Sequence, residues 1–386
     1  MAKIHFKRTL HPVGQGAFFT EQFFSSEEDP CIFCVVYDCG SLSRNICLDK
    51  YIDSVFHTKS HIDLLFISHF DADHINGIQF ILNNRPHLMD CNTKVIIPFK
   101  YAKVLSALEG IGAYSNIAIL IKLMMKINVQ IIGIDDIDLF EGTKAEKKIL
   151  SVESLKSGVI YNGTILSVNL EDFRWDYVPF IIKRNRSNYL DKFKDELKKI
   201  GNNLDDLLND DYIMCHFNDI REAGIRAGTG NTINMHSLQL ISVCLNSTLK
   251  MEAHGICITG QYDDEEDKWT ERKNECSLLS SCLYTGDTNL KSVYYYAAEL
   301  LFAREQLEDL SHNCQLGMMQ IPHHGSQYNY PSKLANDCMV LSAFVNYEPN
   351  YRKQIFDENI NTSFGMVPKL LFKVMNCSQS EFVATL

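Results

Sequence analysis

The residues best suited to chemistry lie together in Ser68-His69-Phe70-Asp71-Ala72-Asp73-His74-Ile75-Asn76-Gly77. His69, Asp71, Asp73 and His74 are two imidazoles and two short carboxylates within six positions. Side chains so close in sequence can converge on one or two cations, and the spacing is that expected of a loop. The bland alternative is a solvated acidic turn with two incidental histidines, so the motif stands or falls with its context. An apolar run, Leu64-Leu65-Phe66-Ile67, leads into it and reads as a buried strand. Gly77 reads as a position where the backbone needs freedom. Two later runs end in the same way, one in Thr285-Gly286-Asp287 and one in Pro322-His323-His324-Gly325-Ser326. Three strand-like segments thus deliver polar residues at their C-terminal ends, where open α/β sheets carry their sites.

The elements that must position these residues alternate between strand and helix. Strands are expected on both sides of the Gly14-Gln15-Gly16 turn within residues 6–24, and at 32–37, 64–67, 95–98, 129–132, 238–245, 254–259, 280–284, 340–344 and 370–375. Residues 158–170 read as a hairpin turning at Asn162-Gly163. Helices are expected at 48–56, from Asn76, at 102–108, 117–126 and 290–304. The pattern is α+β with layered sheets and helices. Residues of about 186–226 interrupt it as a helical insertion, so the 386 residues read as one domain with an insert.

Composition bounds the reading. Hydrophobic residues are 46% and charged residues 22%, ordinary for a globular chain. No apolar run approaches the ~18 residues of a membrane span, and the start lacks the apolar core of a secretion signal. The expectation is a cytoplasmic protein with no membrane partner. The 13 cysteines have no paired spacing beyond Cys31-Ile32-Phe33-Cys34 and read as buried thiols. A net charge of −11 argues against generic, charge-driven nucleic-acid binding. It leaves room for a nucleic-acid substrate met at a cation-filled site, where the ions supply the positive charge.

The order His-x-Asp-x-Asp-His, Thr-Gly-Asp, Pro-His-His-Gly-Ser resembles the metallo-β-lactamase superfamily, in particular its ComEC-like hydrolase branch. Val13-Gly14-Gln15-Gly16, Val36-Tyr37-Asp38-Cys39-Gly40 and Asn234-Met235-His236-Ser237-Leu238 are similar to further signatures of that branch. The resemblance implies an αββα four-layer sandwich and a stand-alone soluble hydrolase. It implies two divalent ions, Zn²⁺ or Mn²⁺ with Mg²⁺ as an option. His69 and Asp71 would hold one ion, Asp73 and His74 the other together with His323 or His324, and Asp287 would bridge them. A bridging hydroxide would be the nucleophile. Asp38 and Ser326 would support the ligands from behind. Asp73 and His324 carry the catalytic assignments, His324 as proton donor with His323 as the ligand, although the residues alone leave the choice between the two histidines open.

Two departures stand out. Asp71 replaces the superfamily's usual histidine, which hardens the site and favours Mn²⁺ or Mg²⁺. The histidine that usually precedes Thr-Gly-Asp has no convincing counterpart among His216, His236 and His254.

The leading expectation is a metal-dependent phosphodiesterase, a nuclease acting on DNA. A small-molecule phosphodiesterase or ester hydrolase is the second reading, and a partner-binding subunit with a structural metal site the third. The insertion is a candidate docking element for a protein partner. Its entry, Lys183, Arg184 and Arg186, is the most basic spot nearby and a candidate contact to a nucleic-acid backbone. If it guides a strand, replacing all three by alanine raises KM for a DNA substrate and flattens its salt dependence. Turnover of a small phosphodiester stays unchanged, and steady-state kinetics on both substrates measures the difference.

Overall fold

The computed structural model describes residues 4–98 (without 27, 45 and 57–59), 111–138, 149–182 (without 172), 186–203, 206, 212, 215–227, 237–244, 250–263, 268–288, 297, 316–325, 340–346, 370–375 and 381–386. The strands of the first half are β1 (His5–Leu10), β2 (Phe18–Phe24), β3 (Cys31–Cys39), β4 (Leu64–Phe66), β5 (Lys94–Ile97), β6 (Gln130–Asp138), β7 (Ile149–Ser151), β8 (Gly158–Asn162) and β9 (Ile165–Leu170). Those of the second half are β10 (Phe173–Phe180), β11 (Gln239–Cys244), β12 (Lys250–Asp263), β13 (Lys268–Leu279), β14 (Cys282–Tyr284), β15 (Leu316–Gln320), β16 (Val340–Asn346), β17 (Leu370–Val374) and β18 (Phe382–Thr385). The helices are α1 (Leu48–Val55), α2 (Ala72–Asn84), α3 (Ile111–Lys126), α4 (Arg186–Lys199) and α5 (Phe217–Ala227).

These elements form an α+β fold with two mixed sheets. In the first sheet β1, β2 and β3 are antiparallel, and β3, β4, β5, β6 and β8 continue in parallel. The second repeats that plan. β9, β10, β11 and β14 are antiparallel, and β14 to β17 are parallel. β18 pairs with both β1 and β12 and so joins the sheets.

Side-chain alternation builds the layers. Tyr37, Leu64, Phe66 and Ile96 point between the sheets, into a core shared with Trp175, Tyr177, Tyr284 and Phe344. Val36, Leu65, Val95 and Ile97 point the other way, against Ile52 of α1, Ile75 and Ile78 of α2 and Ile117 and Leu120 of α3. Both faces of these parallel strands are therefore buried, which explains their unbroken apolar runs. Aromatic pairs lock the sheets together: Phe6 and Trp175 stack at 4.1 Å, Tyr37 and Tyr284 at 5.0 Å. Helix, sheet and sheet are three layers. The helix expected at 290–304, and with it a fourth layer, lies outside the described residues, as does the helix expected at 102–108. Among the described residues no helix is long and apolar enough to cross a membrane.

Three expectations are corrected. The helix expected from Asn76 begins at Ala72, so Asp73 and His74 sit on its first turn instead of in a loop. A carboxylate there is favoured by the helix dipole. Residues 158–170 are not a hairpin. Both edges of β9 are taken, by β7 and β10, while β8 pairs with β6. The Asn162-Gly163 turn carries the chain from one sheet to the other, held by two bonds between the Asn162 amide and the Ile181 backbone at 2.7 and 3.0 Å. Gly77 has no unusual backbone angle. A Cβ there would lie 2.6 Å from Cys39 Sγ, so its role is the close approach of α2 to β3. Beyond the expected elements, residues 268–279 form β13, the antiparallel partner of β12. In the insertion, Phe193 and Leu197 of α4 and Ile220 and Ala223 of α5 are buried, and Arg226 bonds Glu196 at 2.9 Å.

One polar cluster sits inside the inter-sheet core. Arg8 and Glu21 are directly opposed on β1 and β2, fully buried, and bonded at 2.8 Å. Glu21 also accepts from Tyr177 and Tyr284, each at 2.8 Å, and from Ser242 at 2.7 Å. Arg8 donates further to the Ser280 carbonyl at 2.9 Å. A buried pair is tolerable when its partners are this complete, and breaking it strands a charge. Arg8→Met should cost about 3–5 kcal/mol of unfolding free energy. Adding Glu21→Met should recover much of that loss, as denaturant titration would show.

Candidate metal centre

The C-terminal ends of β3, β4, β14 and β15 meet at one point. Asp38 is the next-to-last residue of β3, and β4 runs into Ser68, His69 and the first turn of α2 with Asp73 and His74. β14 runs into Asp287, and β15 into the single turn of His323 and His324. His69, Asp73, His74, Asp287 and His324 are all buried.

Two overlapping groups of ligand atoms result, His69–His74–Asp287 and Asp73–His74–His324, each with its atoms within 4.8 Å of one another. Asp287 turns one oxygen to each side: Oδ1 is 3.6 Å from His74 Nε2, and Oδ2 is 3.7 Å from His69 Nε2. Asp71 Oδ2 lies 3.5 Å from His69 Nε2, and Asp73 Oδ2 lies 3.5 Å from His324 Nε2. These separations are too long for hydrogen bonds and leave space for a cation between the atoms.

The tautomers are fixed from behind. His74 Nδ1 bonds Asp38 Oδ2 at 2.8 Å. Ser68 donates its hydroxyl to the same carboxylate at 2.5 Å, so it accepts from His69 Nδ1 at 2.9 Å. His324 Nδ1 donates to the Asn346 carbonyl at 3.0 Å. Each Nδ1 therefore carries a proton, and Nε2 is the nitrogen left to face a cation. All three Nε2 atoms are buried with no hydrogen-bond partner. Buried polar atoms are seldom left so, and three converging on two carboxylates fit a divalent cation.

The electrostatics agree. Burial alone would lower the His69 pKa, but Asp287 and Asp71 outweigh it and lift it to about 10. His324 is raised in the same way, against burial, by Asp73 and Asp287. Burial pushes the carboxyls of Asp73 and Asp287 up, yet the facing imidazoles hold both below the usual range. Without a cation the cluster balances its carboxylates with imidazole protons, which an entering cation displaces.

The expected residues fare differently. His69, Asp71, Asp73, His74 and Asp287 come together, and Asp38 backs them as expected. Of the two histidines, His324 joins Asp73 and His74, while His323 stands 4.0 Å from Asp287 with its side chain 34% exposed. His216 lies on the insertion beside Asp219 and His254 is exposed on β12, so neither reaches the centre. His236, Ser326, Lys183 and Arg184 lie outside the described residues, and Arg186 begins α4 with its side chain outside them. The supporting roles of Ser68, the Asn346 carbonyl and Gln320 were not anticipated. Gln320 Oε1 accepts from the Thr285 and Gly286 amides at 2.9 and 3.2 Å and so fixes the turn before Asp287. A scan against protein-family models and a search of curated proteins found no match to this chain.

Asp38 touches none of the space between the ligand atoms, yet it orients two of the imidazoles. Asp38→Asn presents a donor where Ser68 and His74 also donate. The variant should fold normally and lose about 10–100-fold in metal affinity, read by competition with a chromophoric chelator.

Proposed function

We propose that this chain is a metal-dependent hydrolase, a phosphodiesterase with a dinuclear centre, and that its substrate is a nucleic acid such as DNA. The observation that carries the metal reading is the set of three buried, unpartnered Nε2 atoms aimed at Asp73 and Asp287. In this reading His69 and Asp71 hold one ion, Asp73, His74 and His324 hold the other, and Asp287 serves both. His74 Nε2 can serve only one ion, since its Nδ1 is engaged by Asp38. Bound there, two divalent ions such as Zn²⁺ or Mn²⁺ would supply a water of lowered pKa and neutralise phosphodiester oxygens.

The protein's own groups divide the remaining work. Asp38, Ser68 and the Asn346 carbonyl keep the imidazoles in the ligating tautomer. The geometry favours exchanging the expected roles of the two histidines. In this reading His324 is the ligand, and His323, whose side chain is 34% exposed, is the group that hands a proton to the leaving oxygen. The rim itself speaks for catalysis over a purely structural site. The side chains of Asp71 and His323 are 39% and 34% exposed while the rest is sealed, whereas structural metal sites are closed on all sides.

A nucleic-acid substrate is supported by the motif set. A small-molecule substrate is the second reading, favoured by the net charge of −11. Purified protein stripped and reloaded with Mn²⁺ or Zn²⁺ should take up close to two ions per chain and release protons as it does so. Asp287→Ala should lose ions and turnover together. Assays on bis-nitrophenyl phosphate beside labelled single- and double-stranded DNA and RNA separate the substrates: hydrolysis of the small diester alone favours the second reading. Elemental analysis showing no ion after reloading would remove the site.

A further inference from the structure

We infer that Gln15 is a positioning residue for the ion held by Asp73, His74 and His324, an inference that rests on the dinuclear reading above. Gln15 stands in the Gly14-Gln15-Gly16 loop between β1 and β2, and its side chain is buried. Its Nε2 donates to Asp73 Oδ2 at 3.3 Å, the oxygen that also faces His324 Nε2 at 3.5 Å. Its Oε1 is buried without a partner. The reverse orientation of the amide would set that oxygen against the Asp73 carboxylate, so the donor assignment follows from the chemistry.

The backbone of Gln15 is held separately from its side chain. Its N–H donates to Ser43 Oγ at 2.8 Å and its carbonyl accepts from Leu42 at 2.7 Å. The same loop grips the main chain of Asp73, since Ala17 N–H donates to the Asp73 carbonyl at 3.1 Å. A Cβ at Gly16 would lie 2.3 Å from the Gly40 carbonyl and 2.9 Å from that of Asp73, and one at Gly40 would meet the Asp73 carbonyl carbon at 2.5 Å. Asp73 is thus clamped twice, by the loop on its backbone and by the Gln15 amide on its carboxylate. Only the second clamp acts on a ligand atom. It reaches one of the two ligand groups, because no bond joins Gln15 to His69, Asp71 or Asp287 among the described residues.

Removing the amide therefore leaves the loop in place. In the metal-free protein it removes one long hydrogen bond together with one unsatisfied acceptor, a near-even exchange. In the loaded protein it frees a ligand carboxylate to swing, and groups that orient ligands from behind typically govern affinity by about 10–100-fold.

The test is Zn²⁺ titration calorimetry on the stripped full-length chain, comparing wild type with Gln15→Met and Gln15→Ala, beside metal-free thermal melting. The expected result is one ion at wild-type affinity and the other weakened about 10–100-fold, with an unchanged metal-free melting temperature. Two ions at wild-type affinity in both variants would overturn the role of Gln15 and leave the dinuclear reading standing. Equal weakening of both ions, or a lowered metal-free melting temperature, would overturn it in favour of a structural role for the loop. A wild-type chain that takes up no ion would overturn the dinuclear reading, and this inference with it.

Discussion

The Asp38 carboxylate is the fixed point on which the candidate centre depends. One oxygen accepts from the Ser68 backbone at 2.7 Å, and the other accepts from the Ser68 hydroxyl and from His74. Those three bonds decide where β4 ends, which nitrogen of His74 carries its proton and, through the serine hydroxyl, which nitrogen of His69 does. Asp38 holds a left-handed backbone angle, φ 52°, which an aspartate tolerates better than most residues. A longer carboxylate at this position could not reach the same partners without moving β3.

Ser68 extends that control across the fold. Its carbonyl accepts from Leu238 at 2.7 Å, and the adjacent strand residue Tyr37 donates its hydroxyl to the Leu238 carbonyl at 2.6 Å. The two sheets are therefore stitched together beside the ligands, one from each side of the same peptide segment. Behind this seam lie the stacked aromatics and the Arg8–Glu21 cluster, which binds Tyr284 only three residues before Asp287. A polar cluster in an apolar core fixes relative position more sharply than greasy contact alone, because its bonds are directional. The separation of about 3.6 Å between His74 and Asp287, which follow strands of different sheets, is set by this framework.

Much of this was legible in the sequence because the signals were local. Apolar runs of four residues marked β4 and β5, and the ligand types at their ends marked the site. What was not legible depends on pairing. β13 carries Lys, Glu and Arg along its length and is a strand only because β12 runs beside it. Asn162-Gly163 signals a tight turn correctly, but a turn does not say which sheet receives the next strand. Nothing in the sequence marks Arg8 and Glu21 as a pair, and only their register places them face to face inside the core. At the site, the proton-holding carbonyl of Asn346 could not be seen at all, since every residue has a carbonyl. The Asp71 to His74 segment was misplaced for a different reason: its polar ligands interrupt the helical apolar pattern, which resumes only at Ile75 and Ile78.

The candidate centre carries several costs at once. Of five non-glycine residues with positive φ among the described residues, three are Asp38, His323 and His324. Such angles persist only where surrounding structure imposes them, and they gather at functional sites. Four buried imidazole nitrogens, Nε2 of His69, His74 and His324 and Nδ1 of His323, lack partners in the same few ångströms, and carboxylates crowd around them. A fold optimised for stability alone would not keep strained backbone and unpartnered buried nitrogens in one place. A cation held there, as proposed, would engage the unpartnered nitrogens and neutralise the carboxylates. By mass action such binding would make the folded state and the loaded state favour one another. The strain of the His323–His324 turn is thus best understood as part of the same balance that leaves His69, His74 and His324 with open nitrogens.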